Sequence, residues 1–151
     1  MSLGKALRKS SLLSSSVRKG KQALRKSDRE RIVEEGSARV LDSLDLDAAT
    51  RVLLPAEARW DYLLGTSISE AAIVAAEVHP ANTGEARLIV AKKRAAAQLL
   101  KAHLDPNARV RRWYWISSGS TKITRGTPEA RLLDKEGIRL VGRLLKLPND
   151  T

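Results

Sequence analysis

No cysteine occurs among the 151 residues, which excludes a disulfide framework, a thiolate metal site and a cysteine nucleophile. The only histidines are His79 and His103, and they do not form a pair at zinc-binding spacing. Phenylalanine is absent, so a core must be built from Leu, Ile, Val and Ala with a few Trp and Tyr. No apolar run approaches the length needed to span a bilayer, and the expectation is a soluble, cytoplasmic protein with no membrane partner. Gly-rich phosphate loops, nucleophile elbows and internal repeats are also missing.

Acids are missing from the first 27 residues. Residues 1–27 hold eight basic side chains (Lys5, Arg8, Lys9, Arg18, Lys19, Lys21, Arg25 and Lys26) and no Asp or Glu. The rest of the chain carries 20 basic and 17 acidic residues, so most of the net charge of +11 belongs to this segment. A basic, Ser-rich segment of this kind is predicted to be a flexible arm. It reads as a solvated tail, as an arm ordered by nucleic-acid phosphates, or as an organelle transit peptide. A polyanionic partner is the implication of the charge, DNA or RNA first, with an acidic protein partner or a homo-oligomer as alternatives.

From Ser27 onward the pattern is that of one mixed domain over residues 28–147, with a frayed end at 148–151. Ser27-Asp28-Arg29-Glu30 resembles a helix start, and Ile32, Val33, Val40, Leu41 and Leu44 continue a helical spacing, weakened at Gly36-Ser37, to about Leu46. Asp42, Asp45 and Asp47 lack the Gly and closing Glu of a calcium loop and read as a solvated helix end. Arg51–Leu54 is a short predicted strand stopped by Pro55. Asn82 or Thr83 caps a long predicted helix to Leu104 whose apolar side includes Ile89, Val90 and Leu100. Its outer side carries Arg87, Arg94 and Lys101 at heptad spacing, widened by Lys92 and Lys93; this is a solvated face or a phosphate-binding stripe. Arg109–Ser117 is the strongest strand by propensity, with Trp113 and Trp115 on one face and Tyr114 and Ile116 on the other. A loop with Lys122 and Arg125 follows. Thr127-Pro128-Glu129 then opens a helix that ends at Gly137, and Ile138–Leu147 is a final strand.

The chemistry is concentrated in Trp60–Pro80. Two strands, 60–66 and 71–79, turn around Ser67–Glu70, and an antiparallel register sets Asp61 opposite or nearly opposite Glu77. Alternation puts Glu77 and His79 on one face. Two carboxylates this close inside a sheet are costly unless a cation or a proton lies between them.

The element order α-β-β-β-α-β-α-β, with a central mixed sheet of about five strands flanked by helices, makes this a mixed α/β (α+β) protein. With Asp61 on the second strand and Glu77-x-His79 on the third, it resembles the PD-(D/E)XK nuclease superfamily and its restriction-endonuclease-like fold. The resemblance implies that Asp61 and Glu77 bind Mg2+ or Mn2+ and that a lysine two residues past the Glu serves the attacking water. Here that position is His79. A migrated lysine, Lys92 or Lys93 from the following helix, is the implied substitute, and Glu30 or Glu34 a further carboxylate. A metal-dependent hydrolase of DNA or RNA is therefore expected, or a binding or assembly subunit with a degenerate site.

Overall fold

The computed structural model describes residues 1–69 and 72–148. The elements run α1 (Leu3–Ala6), a 3-10 turn (Leu12–Ser16), β1 (Arg18–Lys19), α2 (Lys26–Arg29), β2 (Ile32–Glu34), β3 (Val40–Asp45) and α3 (Leu46–Thr50). There follow β4 (Tyr62–Thr66), β5 (Ile73–Ala81), a 3-10 turn (Thr83–Glu85), α4 (Ala86–His103), β6 (Arg112–Thr121), α5 (Pro128–Lys135), β7 (Ile138–Leu140) and β8 (Leu145–Leu147). Six strands form one mixed sheet in the order β1-β3-β4-β5-β6-β7, while β2 and β8 pair in parallel as a separate ribbon.

Within the large sheet the pairings from β1 to β5 are antiparallel and those from β5 to β7 parallel. The switch falls at α4, which carries the chain back across the sheet so that β6 can run beside β5 in the same direction. Alternation along the central strands splits the core into two layers. Leu63, Ile73, Ala75, Trp113 and Trp115 face Ile89, Val90, Ala96 and Leu100 of α4. Tyr62, Leu64, Val74, Ala76, Tyr114 and Ile116 face Leu24, Ile32, Val40, Leu145 and Leu147. Without phenylalanine, the first layer relies on an edge-to-face contact of Trp60 with Trp113, 5.0 Å between ring centres.

The mixed α/β character, the central mixed sheet and the helices flanking it agree with the sequence; several elements do not. Residues 1–27 are not a loose arm: Leu3, Ala6, Leu7, Leu13 and Leu24 are buried, and β1 pairs with β3. These apolar residues are too sparse to give a periodic signal, but each covers part of a core made by distant residues. Asp42 completes the attachment by accepting hydrogen bonds from Leu3 N at 2.7 Å and Gly4 N at 3.1 Å. The core thus extends well before residue 28.

The helix expected to run to Leu46 is also replaced. Gly36, at φ +59°, turns the chain, and the apolar pairs Ile32-Val33 and Val40-Leu41 on either side enter β2 and β3. β3 lies beside β4, and Arg51–Leu54, a strand by sequence pattern, is a turn with Val52 exposed. The final strand is split by Gly142 at φ +84° into β7 and β8, which join different sheets. Pro80 does not stop β5, which continues to Ala81 through a register shift where the missing N–H costs no regular ladder bond. By contrast, α5 has its expected cap, with Thr127 Oγ1 accepting from Ala130 N at 3.2 Å, and Gly137 follows at φ +70°. The hairpin turn at Ser67–Glu70 and the strand start at Ala71 fall partly outside the described residues, as does most of 148–151.

Candidate active site

β4 and β5 pair with Tyr62 opposite Ala76 and Leu63 opposite Ala75, so one step further Asp61 stands across from Glu77. The two acids tie the strand ends together. Glu77 Oε1 accepts from Asp61 N at 2.9 Å, and Asp61 Oδ2 accepts from Val78 N at 3.0 Å. Both lie on the sheet face covered by α4. From that helix Lys92 reaches down, its Nζ donating to Glu77 Oε2 at 2.5 Å.

Glu77 is completely buried, and Lys92 is 16% exposed. Burial and the neighbouring Asp61 charge push the Glu77 carboxyl up to about 8; the Lys92 ammonium and the Asp61 N–H oppose this without cancelling it. Asp61 is also raised, chiefly by burial, against the hydrogen bond from Val78 and the charge of Lys92. Near neutral pH Glu77 therefore keeps its proton, and only once that proton leaves do two acids face one ammonium.

The cluster opens on a cleft of about 350 Å3 lined by Asp61, Lys92, His79 and Arg25 together with Asp28, Asp45 and Asp47. Three of these acids already have partners. Tyr62 donates its hydroxyl to Asp28 Oδ2 at 2.5 Å, which with burial raises the phenol pKa. Asp45 caps α3 through Ala48 N, and Asp47 pairs with Arg59 at 2.7 Å. In a chain of net charge +11, this is a localised acidic recess.

His79 occupies the position two after Glu77, but its Nε2 pairs with Glu85 Oε2 at 2.7 Å and its carbonyl accepts from Trp115 Nε1 at 2.9 Å. Lys93 does not join the cluster. One residue past Lys92 on the helix, it points elsewhere, donating to the Glu136 carbonyl and lying 5.7 Å from the Trp113 ring centre. Glu34 is engaged by Val40 N and Lys21, and Glu30 is exposed; neither lines the cleft. Asp28, Asp45 and Asp47 do, and the sequence had offered only helix-end signals for them.

The basic residues divide in the same way. Arg8 donates to Leu104 O, Arg18 to Ser15 O, and Lys21 to the carbonyls of Arg29 and Ile32. Arg94 is bound to Glu136. Arg25 borders the cleft, whereas Lys5, Lys9, Lys19, Lys26, Arg87, Lys101, Lys122 and Arg125 are exposed at the surface.

Among the described residues, no three His, Cys, Asp or Glu side chains gather as a metal-ligand set. Asp61 lines the cleft, while Glu77 lies completely buried behind it with its two oxygens accepting from Asp61 N and Lys92 Nζ; the two carboxylates are oxygen donors of the kind a hard cation takes. No protein-family model, curated protein or solved structure matches the chain.

Proposed function

We propose that the protein is a divalent-metal-dependent phosphodiester hydrolase acting on DNA or RNA, built on a restriction-endonuclease-like plan. The observation that carries this reading is the meeting of Asp61 and buried Glu77 on one sheet face with Lys92 from α4, beside an open cleft that Asp61 and Lys92 line. A buried acid pair with one ammonium is a poor device for stability, because the desolvation of its charges is only partly repaid. It suits a site in which further positive charge arrives with the reactants.

In this reading Asp61 and Glu77 hold Mg2+ or Mn2+. The metal, when bound, supplies Lewis-acid neutralisation of the phosphate and lowers the pKa of water toward neutrality. Lys92 takes the part of the lysine that the sequence lacks after Glu77. Its ammonium, anchored at Glu77 Oε2, orients the attacking water and opposes the charge developing on phosphate oxygens. Arg25 at the cleft border binds an adjacent phosphate. His79, held by Glu85, keeps the cleft wall in place beside Glu77.

Cleavage of plasmid DNA or a structured RNA in Mg2+ or Mn2+ tests the reading. Activity should vanish in Asp61→Asn, Glu77→Gln and Lys92→Met, with circular dichroism unchanged. Undiminished cleavage in these variants would remove the site assignment. The second reading, a nucleic-acid-binding or assembly subunit without cleavage, is favoured by the imidazole at position 79 and by the closed Lys92–Glu77 pair. Salt-sensitive binding with no cleavage in any divalent metal would select it.

A further inference from the structure

A second, larger recess of about 880 Å3 lies away from the acids, between the start of β6, the loop that follows it, α5 and β7. Five arginines line it, Arg111, Arg112, Arg125, Arg131 and Arg139, against a single acid, Asp134. They come from four separate stretches of chain, so this is a concave assembly of charge and not one basic helix face. We propose that this groove binds the phosphodiester backbone of a nucleic acid. The proposal deepens the nucleic-acid reading above and rests on it, but it does not depend on cleavage.

Three features favour phosphate over other anions. Guanidinium groups are planar forks that match paired phosphate oxygens, and several around one groove can follow successive phosphates along a strand. Beneath the groove lie Trp113, Leu133 and Ile138, each at most 9% exposed. Such a floor lowers the local dielectric and strengthens attraction to the anion, yet presents little apolar area for a protein partner to cover. Finally, part of the groove is braced from within: Arg131 Nη1 donates to Gly126 O at 2.7 Å, fixing the loop that carries Arg125.

α4 contributes no residue to the groove's lining but touches it from behind through Lys93. Lys92 turns to Glu77, while the next residue, Lys93, bonds Glu136 O and lies over Trp113 at the groove's edge.

The test is binding of a fluorescein-labelled DNA oligonucleotide, single-stranded and duplex, to the full chain over a salt series. Arg125→Glu/Arg131→Glu should weaken binding by about tenfold or more and reduce the slope of log K against log salt by about two. Arg125→Glu alone removes a side chain that makes no hydrogen bond within the described residues, so its loss of roughly half that slope does not hinge on folding. Arg125→Lys/Arg131→Lys should retain most of the salt slope. Unchanged affinity and slope in the glutamate variants would overturn the proposal, as would polyglutamate binding the parent as tightly as the oligonucleotide.

Hydrolysis of bis(p-nitrophenyl) phosphate in Mn2+ separates this from the cleft, since so small a diester needs only the acids, Lys92 and the metal. Groove variants that keep this hydrolysis but lose oligonucleotide binding would support the proposal. A parent that binds through the arginines yet hydrolyses nothing would leave the groove standing and remove the cleavage reading.

Discussion

β4 has a buried carboxylate site at each end, and the two are built on opposite principles. At one end Asp42 faces Gly65 and accepts from Leu3 N and Gly4 N. Gly65 leaves no room for more: a Cβ there would stand 2.2 Å from Asp42 Oδ1 and 2.6 Å from Leu3 N. At the other end Asp61 faces a second acid, each takes one backbone N–H, and Lys92 supplies one cation from α4. Asp61 and Gly65 are on the same face of the same strand, so alternation does not explain the contrast. The difference lies in the donors. Asp42 is satisfied by the start of α1 and sealed in, fastening the N-terminal segment to the sheet. Asp61 and Glu77 face each other beside an open cleft, Glu77 keeps its proton up to about pH 8, and in the proposed reading a metal cation takes that proton's place.

Breaking each end in turn should therefore give opposite results. The largest effect is expected for Glu77→Gln, which removes a metal oxygen but keeps an acceptor for Asp61 N. Metal-dependent cleavage should fall on the order of a thousandfold, about 4 kcal/mol of transition-state stabilisation, with the melting temperature held or raised. At the Asp42 end the dependence is on stability alone. Leu3→Ala empties a fully buried site and should cost about 3 kcal/mol, seen as a lower urea midpoint. Asp42→Ala strands two N–H donors and should cost about 2 kcal/mol, or a drop of about 6 °C in melting temperature for a chain of this size. Cleavage per folded molecule should be unchanged in both.

A change of a single pH unit gives the smallest effect and sharpens the comparison. Glu77 rises from 4.5 to about 8 on folding, so the folded state holds this proton more tightly than the unfolded one. The resulting stability is fully present below pH 4.5 and is lost as pH rises through about 8. Without metal, the parent should lose on the order of 1 kcal/mol per pH unit across that window relative to Glu77→Gln. Added Mn2+ should flatten the difference, because the cation competes with the proton for the same carboxylate. Asp42→Ala should leave this slope intact.

The two ends also differ in how far the sequence discloses them. Asp61 and Glu77 could be set opposite each other from alternation and a short hairpin, because the distance between them in sequence is small. Lys92 could be named as a substitute ammonium, but the sequence did not distinguish it from Lys93; a one-residue step around α4 directs one to Glu77 and the other to Glu136. Nothing local marks the Asp42 end. Leu3, Leu7 and Leu13 lie among lysines, arginines and serines, and their burial follows from contacts with residues dozens of positions away. Likewise Ile32 to Leu44 fits a helical spacing almost as well as two short strands, and Gly36 and tertiary pairing decide in favour of strands. The strong local signals, Thr127-Pro128 and the aromatic strand around Trp113, were read correctly because capping and alternation alone determine them.

The most direct measurement is Mn2+ binding by electron paramagnetic resonance in the parent, Asp61→Asn, Glu77→Gln and Asp42→Ala. Mn2+ should bind to the parent and to Asp42→Ala, more strongly as pH rises toward 8, and its binding should be lost in the other two. Absence of bound Mn2+ from the parent, or equal binding in all four proteins, would contradict a metal site at Asp61 and Glu77.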